Sequence, residues 1–520
     1  MIIYKKIKKY QNYLLVIFFI ILGAVLRFHH ISLRTFWLDE AAGVNLLKYQ
    51  ISELFSKVVS YGNSFGYIYS IKLWSIFFGD SELAIRSFSL IVSLLSILAI
   101  YKLGKYLFNK NVGLLAAFLL SINYFSIFYS IQARPYSAVI LLSILSYYYF
   151  IKLLNCRKLF NILFYIIFTT IGFYFHPWFI LILASQIFYT VVAKIKSNKI
   201  YLIICQILAI ILIFPWLIIL LNHGKDGYSD WIGGASLGII IKTFHYFMYS
   251  GVEVYVIFSI VVLISIFIEK KDKIGITVIK LNENLCKKEF NKDSLLILNY
   301  LFFPLFLALI IAQFKPFYVV GRYEAVVLPA FILFISHFWL NIKNKKIILI
   351  ICLVLIIFSY NFVQSEKDVI NGYATNDRKE AQILLDKINN NDYIIFTDLS
   401  RPSFDYYLSH LNKNMKQFIE ISYPKEMEEH PAFKNTEKMM ENKEGLNKEV
   451  DNLIQSINKI RPEKIWVIYA YGNPVNEILL KKLNYNFKYI NSIEPNKNAV
   501  VHGMPIVPFH FHAILEYELK

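Results

Sequence analysis

Hydrophobic positions along this chain come mostly in long unbroken runs rather than in alternation or on a single helical face. A bilayer core takes about 20 residues of helix. Eleven runs approach that length, at 12–31, 82–108, 112–129, 134–155, 158–175, 177–195, 200–221, 244–268, 294–313, 322–341 and 345–363. A further apolar stretch, "FGYIYSIKLWSIFFG" at 65–79, would be only about 22 Å long as a helix. It is too short to span and reads as a helix lying in or dipping into the outer leaflet. Just before it, Ile51, Leu54, Phe55, Val58 and Val59 recur at helical spacing, an amphipathic face suited to the interface. From about 365 the pattern changes. "NDYIIFTDL" and "EKIWVIYAYG" read as buried strands, and "RKEAQILLDKINN" and "PVNEILLKKLN" as helices. The charged stretch 426–449 reads as a long surface loop or an exposed helix. The expected architecture is therefore a mainly α, polytopic membrane bundle over 1–364 with a structured first outer loop at 32–80, followed by a C-terminal soluble α/β domain at 365–520.

Composition agrees with that layout, with 57% hydrophobic and 17% charged residues among 520. Charge then gives it a direction. Basic loops such as "YKKIKKY", "AKIKSNK" and "NIKNKK" fall on one side of the eleven crossings, which the excess of Lys and Arg makes cytoplasmic. The N-terminus then lies in the cytoplasm and the tail outside, in a multi-pass protein of the plasma or inner membrane. Residues 1–365 carry a net charge of +20 and 366–520 a net charge of −2. The basic excess is thus positive-inside charge facing anionic lipid and implies no nucleic-acid partner. The cysteines at 156, 205, 286 and 352 all fall in spans or on the cytoplasmic side, which excludes disulfides in the tail.

The middle of nearly every span lacks ionisable groups. They gather at the outer ends instead: Arg27, His29, His30, Arg34, Asp39, Glu40, Arg86, Arg134, His176, Arg322 and Glu324. Carboxylates near the midplane, as an ion-coupled transporter would want, are missing. The asymmetry favours a reaction site at the outer membrane boundary, open sideways to a lipid. Hydrolysing an ordinary glycosidic bond takes two carboxylates, because the leaving alkoxide must be protonated. A sugar carried on a lipid phosphate leaves behind an anion of low proton affinity, which mainly needs positive charge to stabilise it. One carboxylate then suffices as base toward an incoming hydroxyl. The acidic pair in "FWLDEAAG", with arginines at the same level, matches that demand.

That acidic pair, followed by "GDSELAIRSFSLIVSLLSILAIYKLGKYLFNKNVGLLAAFLLSINYFSIFYSIQARPYSAVILL" at 79–142, resembles glycosyltransferase family 39 and related GT-C membrane glycosyltransferases. That superfamily includes protein mannosyltransferases and the aminoarabinose transferases of lipid A. The likeness extends weakly through "FHPWF" and "GRYEAVVLPAF", and "DRKEAQILLDKINNNDYIIF" resembles the opening of the outer domain in bacterial members. The resemblance implies a GT-C helical bundle, a polyprenyl-phosphate sugar as donor and inversion at the anomeric carbon. The acceptor would be a lipid, a cell-envelope glycan or a protein. It implies Asp39 as the catalytic carboxylate and Glu40 as an acidic neighbour that binds metal or acceptor or braces the loop, which leaves a divalent metal ion open as a cofactor. Arg134 and Arg322 become the donor-phosphate ligands, and His176, Tyr136 and Tyr323 the further site-lining candidates. One departure stands out: relatives often carry a His-Pro-Pro-like motif where this chain has Asn63 and Ser64, so no role resting on that His carries over.

Blander readings stand beside each residue. Asp39 at a helix start gains about 0.3–1 kcal/mol from the helix dipole alone. Glu40 could pair with Arg34, and Arg86 with Glu82 four residues earlier. Arg134 could be an interfacial anchor. His510 and His512 alternate on an expected strand but lack a third metal ligand, and Asp226 and Asp230 sit in a Gly-rich loop as minor candidates. Two rival functions remain. A flippase for lipid-linked saccharides would share the arginines without needing Asp39 as base. A non-catalytic envelope-assembly protein would tolerate loss of all three.

Overall fold

The computed structural model describes residues 2–28, 31, 35–60, 64–193, 199–223, 236–248, 292–315, 317–340, 353, 355–357, 377–397, 400–425, 436–470, 473–493 and 512–520. The chain is mainly helical and divides into two compact units. One comprises 1–31, 86–218 and 232–365, the other 32–85, 219–231 and 366–520.

Among the described residues, six helices are long and apolar enough to cross a membrane: Gln11–Phe28, Glu82–Leu107, Tyr136–Asn155, Lys199–Asn222, Ser294–Ala312 and Tyr323–Leu340. The pair Lys110–Ile122 and Tyr124–Ser130, bent by 56°, makes a seventh if it is one span. Leu159–Phe175 and Phe179–Val192 are shorter apolar helices. The expected spans 244–268 and 345–363 lie largely outside the described residues. The chain is a multi-pass membrane protein.

The bend at Asn123 sets the direction of the short helix Tyr124–Ser130. Leu120 and Ser121 end the first helical piece with carbonyls that have no helical partner, which is costly away from water. Arg27, fully buried, supplies the missing donors. Its guanidinium donates to Ser121 O at 2.7 Å, Leu120 O at 3.3 Å, Gly23 O at 3.1 Å, and the hydroxyls of Ser93 and Ser126 at 3.0 Å each. Asn123 completes the joint: its Oδ1 accepts from Ser126 N at 3.1 Å and its Nδ2 donates to Phe247 O at 2.8 Å. The first piece also lies backbone to backbone on helix Glu82–Leu107. A Cβ at Gly113 would come within 2.5 Å of the Tyr101 carbonyl oxygen, so only glycine permits this approach.

The second unit holds a five-stranded mixed sheet of β1 Tyr393–Thr397, β2 Ile419–Tyr423, β3 Ile465–Ala470, β4 Phe487–Ile493 and β5 His512–Leu519, in the order β2-β1-β3-β5-β4. β1 runs parallel to β2 and β3, while β5 is antiparallel to β3 and β4. Both expected strands are present as β1 and β3, and both expected helices as Asp377–Lys387 and Pro474–Asn486. Of the charged stretch 426–449, residues 426–435 lie outside the described residues and the rest is helical, one of its two expected forms, but it runs on into a helix with a buried face. Residues 443–460 form an amphipathic helix whose Leu446, Val450, Leu453, Ile454 and Ile457 are buried in the sheet's core; its dense Lys and Glu occupy the opposite face and mask the apolar stripe.

The same unit contains residues 35–81. Helix Ile51–Ser60 buries Leu54 and Val58 and leaves Ile51 and Phe55 exposed, and helix Phe65–Phe78 comes next. Glu380 Oε2 is buried without a hydrogen-bond partner. Burial and the neighbouring Asp377 push the Glu380 carboxyl up from 4.5 to about 8.

Arg27→Met should cost about 2–4 kcal/mol of stability in denaturation experiments, because charge-assisted bonds are lost and carbonyls left bare; a variant as stable as wild type would remove Arg27 as the brace. Glu380 binds its proton more tightly folded than unfolded, so its contribution is complete below about pH 4.5 and lost as pH rises through about 8. Glu380→Gln should therefore raise the thermal midpoint at about pH 8.5 and leave it unchanged at about pH 4. Equal profiles for variant and wild type would refute this.

Candidate functional site

In the first unit, the turn after Ser130 carries Arg134 between helices Tyr124–Ser130 and Tyr136–Asn155. The Arg134 guanidinium stands 5.7 Å from the centre of the Tyr136 ring, in the range of a cation–π contact. Tyr136 also meets Tyr129 at 4.5 Å and His176 at 5.8 Å. His176 lies in the tight turn between helices Leu159–Phe175 and Phe179–Val192. That turn closes tightly because Gly172 leaves room for the Phe179 ring; a Cβ there would sit 2.4 Å from it. His176 Nδ1 accepts from Trp178 N at 3.2 Å. Burial and the Arg134 charge pull its imidazole down to about 3, so it is neutral at physiological pH.

From the other side comes "VVGRYEA". Tyr323 meets His176 edge-on at 4.7 Å and Trp178 at 5.8 Å. Glu324, fully buried, turns back on its own loop: its carboxylate accepts from Gly321 N and from Arg322 N, the latter at 3.1 Å. The Tyr129 hydroxyl donates to Gly321 O, and Trp178 Nε1 donates to Phe317 O at 2.9 Å. The loop bearing Arg322 is thus fixed at both ends, and Tyr129 lies within electrostatic reach of Arg134 and Arg322 alike. Of the expected residues, Arg134, Tyr136, His176, Arg322 and Tyr323 converge here. Glu324, visible in the sequence only as an outer acid, completes the cluster with Tyr129 and Trp178.

In the second unit, Asp39 and Glu40 open helix Leu38–Val44. Glu40 is buried, and its Oε2 accepts from the Trp37 N–H at 3.3 Å, capping the helix from within. Asp39 is half-buried on a different face, as the 100° helical step requires. The residue before Trp37 is held from far along the chain. Phe36, fully buried, donates its N–H to the Tyr407 hydroxyl at 2.7 Å and accepts at its carbonyl from Ser403 Oγ at 3.3 Å. Its ring meets Tyr406 edge-on at 4.9 Å. Past the helix, Asn45 Nδ2 donates to Pro402 O at 2.7 Å. Tyr407 in turn donates to Glu82 Oε1 at 2.5 Å, and Arg378 pairs with the same oxygen. Glu82 therefore anchors helix Arg401–Leu411, while Arg86, its expected partner, donates to Ile31 O at 3.0 Å.

Arg34, Asp226, Asp230 and His510 lie outside the described residues. His512 opens β5 opposite Ala470. Among the described residues, no three His, Cys, Asp or Glu side chains group as a metal site would require.

Residues 63–219 match the model of the dolichyl-phosphate-mannose-protein mannosyltransferase family. The fold is similar to that of ArnT from Cupriavidus metallidurans, at a TM-score of 0.56 for the apo state and 0.57 for the state bound to undecaprenyl phosphate. Identities are 8% and 7%, and both superpositions cover 96% of this chain and 97% of ArnT. The likeness is one of fold. The mycobacterial arabinofuranosyltransferase AftD shares the fold at a TM-score of 0.55 and 11% identity, over 97% of this chain and 41% of AftD. No curated protein matches its sequence. The stretch that matches the family model takes in Arg134, Tyr136 and His176; Asp39, Glu40, Arg322 and Tyr323 lie outside it.

The Tyr407 hydroxyl is one of the links between helix Arg401–Leu411 and the Asp39 segment. Tyr407→Phe keeps the ring and loses both bonds of the hydroxyl. Amide exchange at Phe36 should accelerate about tenfold, matching the roughly 1 kcal/mol of a lost hydrogen bond. Unchanged exchange would show that the remaining contacts of the segment hold it without the Tyr407 hydroxyl.

Proposed function

We propose that this chain is a GT-C glycosyltransferase, which moves a sugar from a polyprenyl-phosphate donor to an acceptor hydroxyl at the outer face of the membrane, inverting the anomeric centre, with Asp39 as general base. The reading takes eleven crossings, a cytoplasmic N-terminus, a membrane part over 1–364 and an extracytoplasmic soluble domain over 365–520. The acceptor belongs to a lipid, an envelope glycan or a protein.

The observation that carries the reading is the convergence of Arg134 with Tyr136, His176 and Tyr323 on a loop whose Arg322 is locked by Glu324. Two guanidiniums in a fold that one relative, ArnT, uses with undecaprenyl phosphate bound suit a lipid phosphate. The aromatic rings beside them suit the first isoprene units or the sugar ring. His176, held neutral, packs between Tyr136 and Tyr323 and takes no part in proton transfer in this reading. Glu40 braces the loop by capping its helix, which leaves Asp39 as the carboxylate for chemistry.

In the reaction, an Asp39 carboxylate oxygen takes the proton of the acceptor hydroxyl. The acceptor oxygen bonds to the anomeric carbon from the face opposite the phosphate, and the carbon–oxygen bond to the lipid phosphate breaks. The electron pair leaves with the phosphate, whose charge Arg134 and Arg322 neutralise. No acid is needed on the leaving side, because the departing group is already a weak base.

The test uses full-length protein in nanodiscs with a panel of polyprenyl-phosphate sugars and a membrane extract as acceptor, read as released polyprenyl phosphate. Asp39→Asn should lower turnover by about 10²–10⁴-fold, the usual worth of a general base, with donor binding kept. Arg322→Ala and Arg134→Ala should each weaken donor binding by about 1.5–3 kcal/mol. Turnover surviving in Asp39→Asn would remove it as base. Tight donor binding without any release would point to a flippase instead.

A further inference from the structure

The second unit contains a cleft of about 510 Å³ that the transfer step does not use. One wall is the stretch that continues from the Asp39 helix, from Val44 to Lys48. The other is helix Arg401–Leu411, and the floor is formed by the chain around Lys416 to Glu420. Its size is that of ordinary ligand sites, but its lining is more polar than most.

The charges in it are balanced and engaged with one another. Arg401 lies between two carboxylates, with Nε 3.2 Å from Asp405 and NH2 3.6 Å from Glu420, and it also donates to Ser422 Oγ at 3.0 Å. Lys416 Nζ donates to the carbonyls of Leu385 and Ile388 at 2.6 and 2.7 Å. His410 stacks on Tyr406 at 4.1 Å and its Nε2 lies 3.1 Å from Asp80. An anion entering here would face Asp80, Asp405 and Glu420; a cation would face Arg401, Lys416 and Lys48. An apolar ligand would bury these groups without replacing their water, at a cost of kilocalories each.

A ligand with many hydroxyls meets none of those penalties. Each hydroxyl can donate to a carboxylate, which has room for several donors at once, and accept from a guanidinium or amide. The partly exposed His410 ring and Phe418 offer flat apolar surface for the face of a sugar ring. The position fits as well. From Asp39 to Val44 is about 8 Å along the helix axis, roughly one sugar unit and the start of the next.

We propose that this cleft binds a neutral saccharide, the remote part of a glycan acceptor whose reacting hydroxyl reaches Asp39. The proposal deepens the transferase reading and rests on it: it selects a glycan among the three acceptor classes. Binding energy from sugars that do not react then holds the one that does, as remote contacts commonly do in catalysis.

The experiment is saturation-transfer NMR on full-length protein in lipid nanodiscs, which carry no sugar-headed detergent. The probes are neutral disaccharides (cellobiose, maltose, mannobiose, chitobiose), with digalacturonate and inorganic phosphate for comparison. At least one neutral disaccharide should bind with a Kd on the order of 1 mM, and Asp39→Asn should bind it equally. The double variant Asp405→Asn with Glu420→Gln should weaken it at least about tenfold. Gln417→Trp, which fills the exposed rim without touching the ion pairs, should do the same and keep the thermal midpoint. Absence of neutral binding at about 20-fold that concentration, a preference for digalacturonate or phosphate, or binding indifferent to both variants would overturn the proposal. Its failure is separable from that of the transferase reading: loss of turnover in Asp39→Asn without saccharide binding sinks only the cleft. Turnover surviving in Asp39→Asn, with binding that tracks the cleft variants, sinks only the base.

Discussion

Inside hydrocarbon no water is at hand to complete a broken hydrogen-bond ladder, and the helix that breaks at Asn123 meets this constraint with a single guanidinium. Arg27 reaches the carbonyls of Leu120 and Ser121 and the hydroxyl of Ser126, so one side chain spans both pieces of the broken helix. The bend redirects the chain into the short helix bearing Tyr129 and then into the turn bearing Arg134. Without it, Tyr129 would not reach the Gly321 carbonyl, and the loop of Arg322 would lose its anchor. The placement of Arg134 and of the loop bearing Arg322 thus depends on a third, buried arginine. Desolvating Arg27 is tolerable because its donors are so fully engaged.

The acidic pair shows a similar division of labour. Adjacent carboxylates on a helix point about 100° apart, and the structure uses both directions. Glu40 turns inward to cap the helix at Trp37 N, while Asp39 stays partly accessible. A substitution that spared Asp39 but removed Glu40 would leave the Asp39 carboxylate on a frayed turn.

Much of this was legible in the sequence, for identifiable reasons. Long apolar runs define spans independently of how they pack, and among the described residues six of the eleven read from them are helical over a spanning length. The grouping of Arg134, His176 and Arg322 was legible because ionisable groups in a greasy chain are too costly to be scattered at random. What stayed hidden was pairwise and distant. Nothing near Tyr407 signals that its hydroxyl meets Phe36, and Glu82 looked committed to Arg86 by helical spacing when its carboxylate in fact serves Arg378 and Tyr407. Glu324 was visible as an outer acid, but its role in bracing Arg322 emerges only once the loop is folded. The amphipathic helix at 443–460 was masked because charge density drew the eye from an apolar stripe of normal spacing.

The hydrogen bond between Ser403 and Phe36 joins residues 367 positions apart. A ribosome adding about 10 residues per second completes the Asp39 segment more than half a minute before it makes the helix that clasps it. During that interval the acidic loop is already displayed while the membrane helices insert one after another. The order of the Asp39 segment is thereby tied to translation of the tail: a chain cut short before helix Arg401–Leu411 would carry the acidic loop without its clasp.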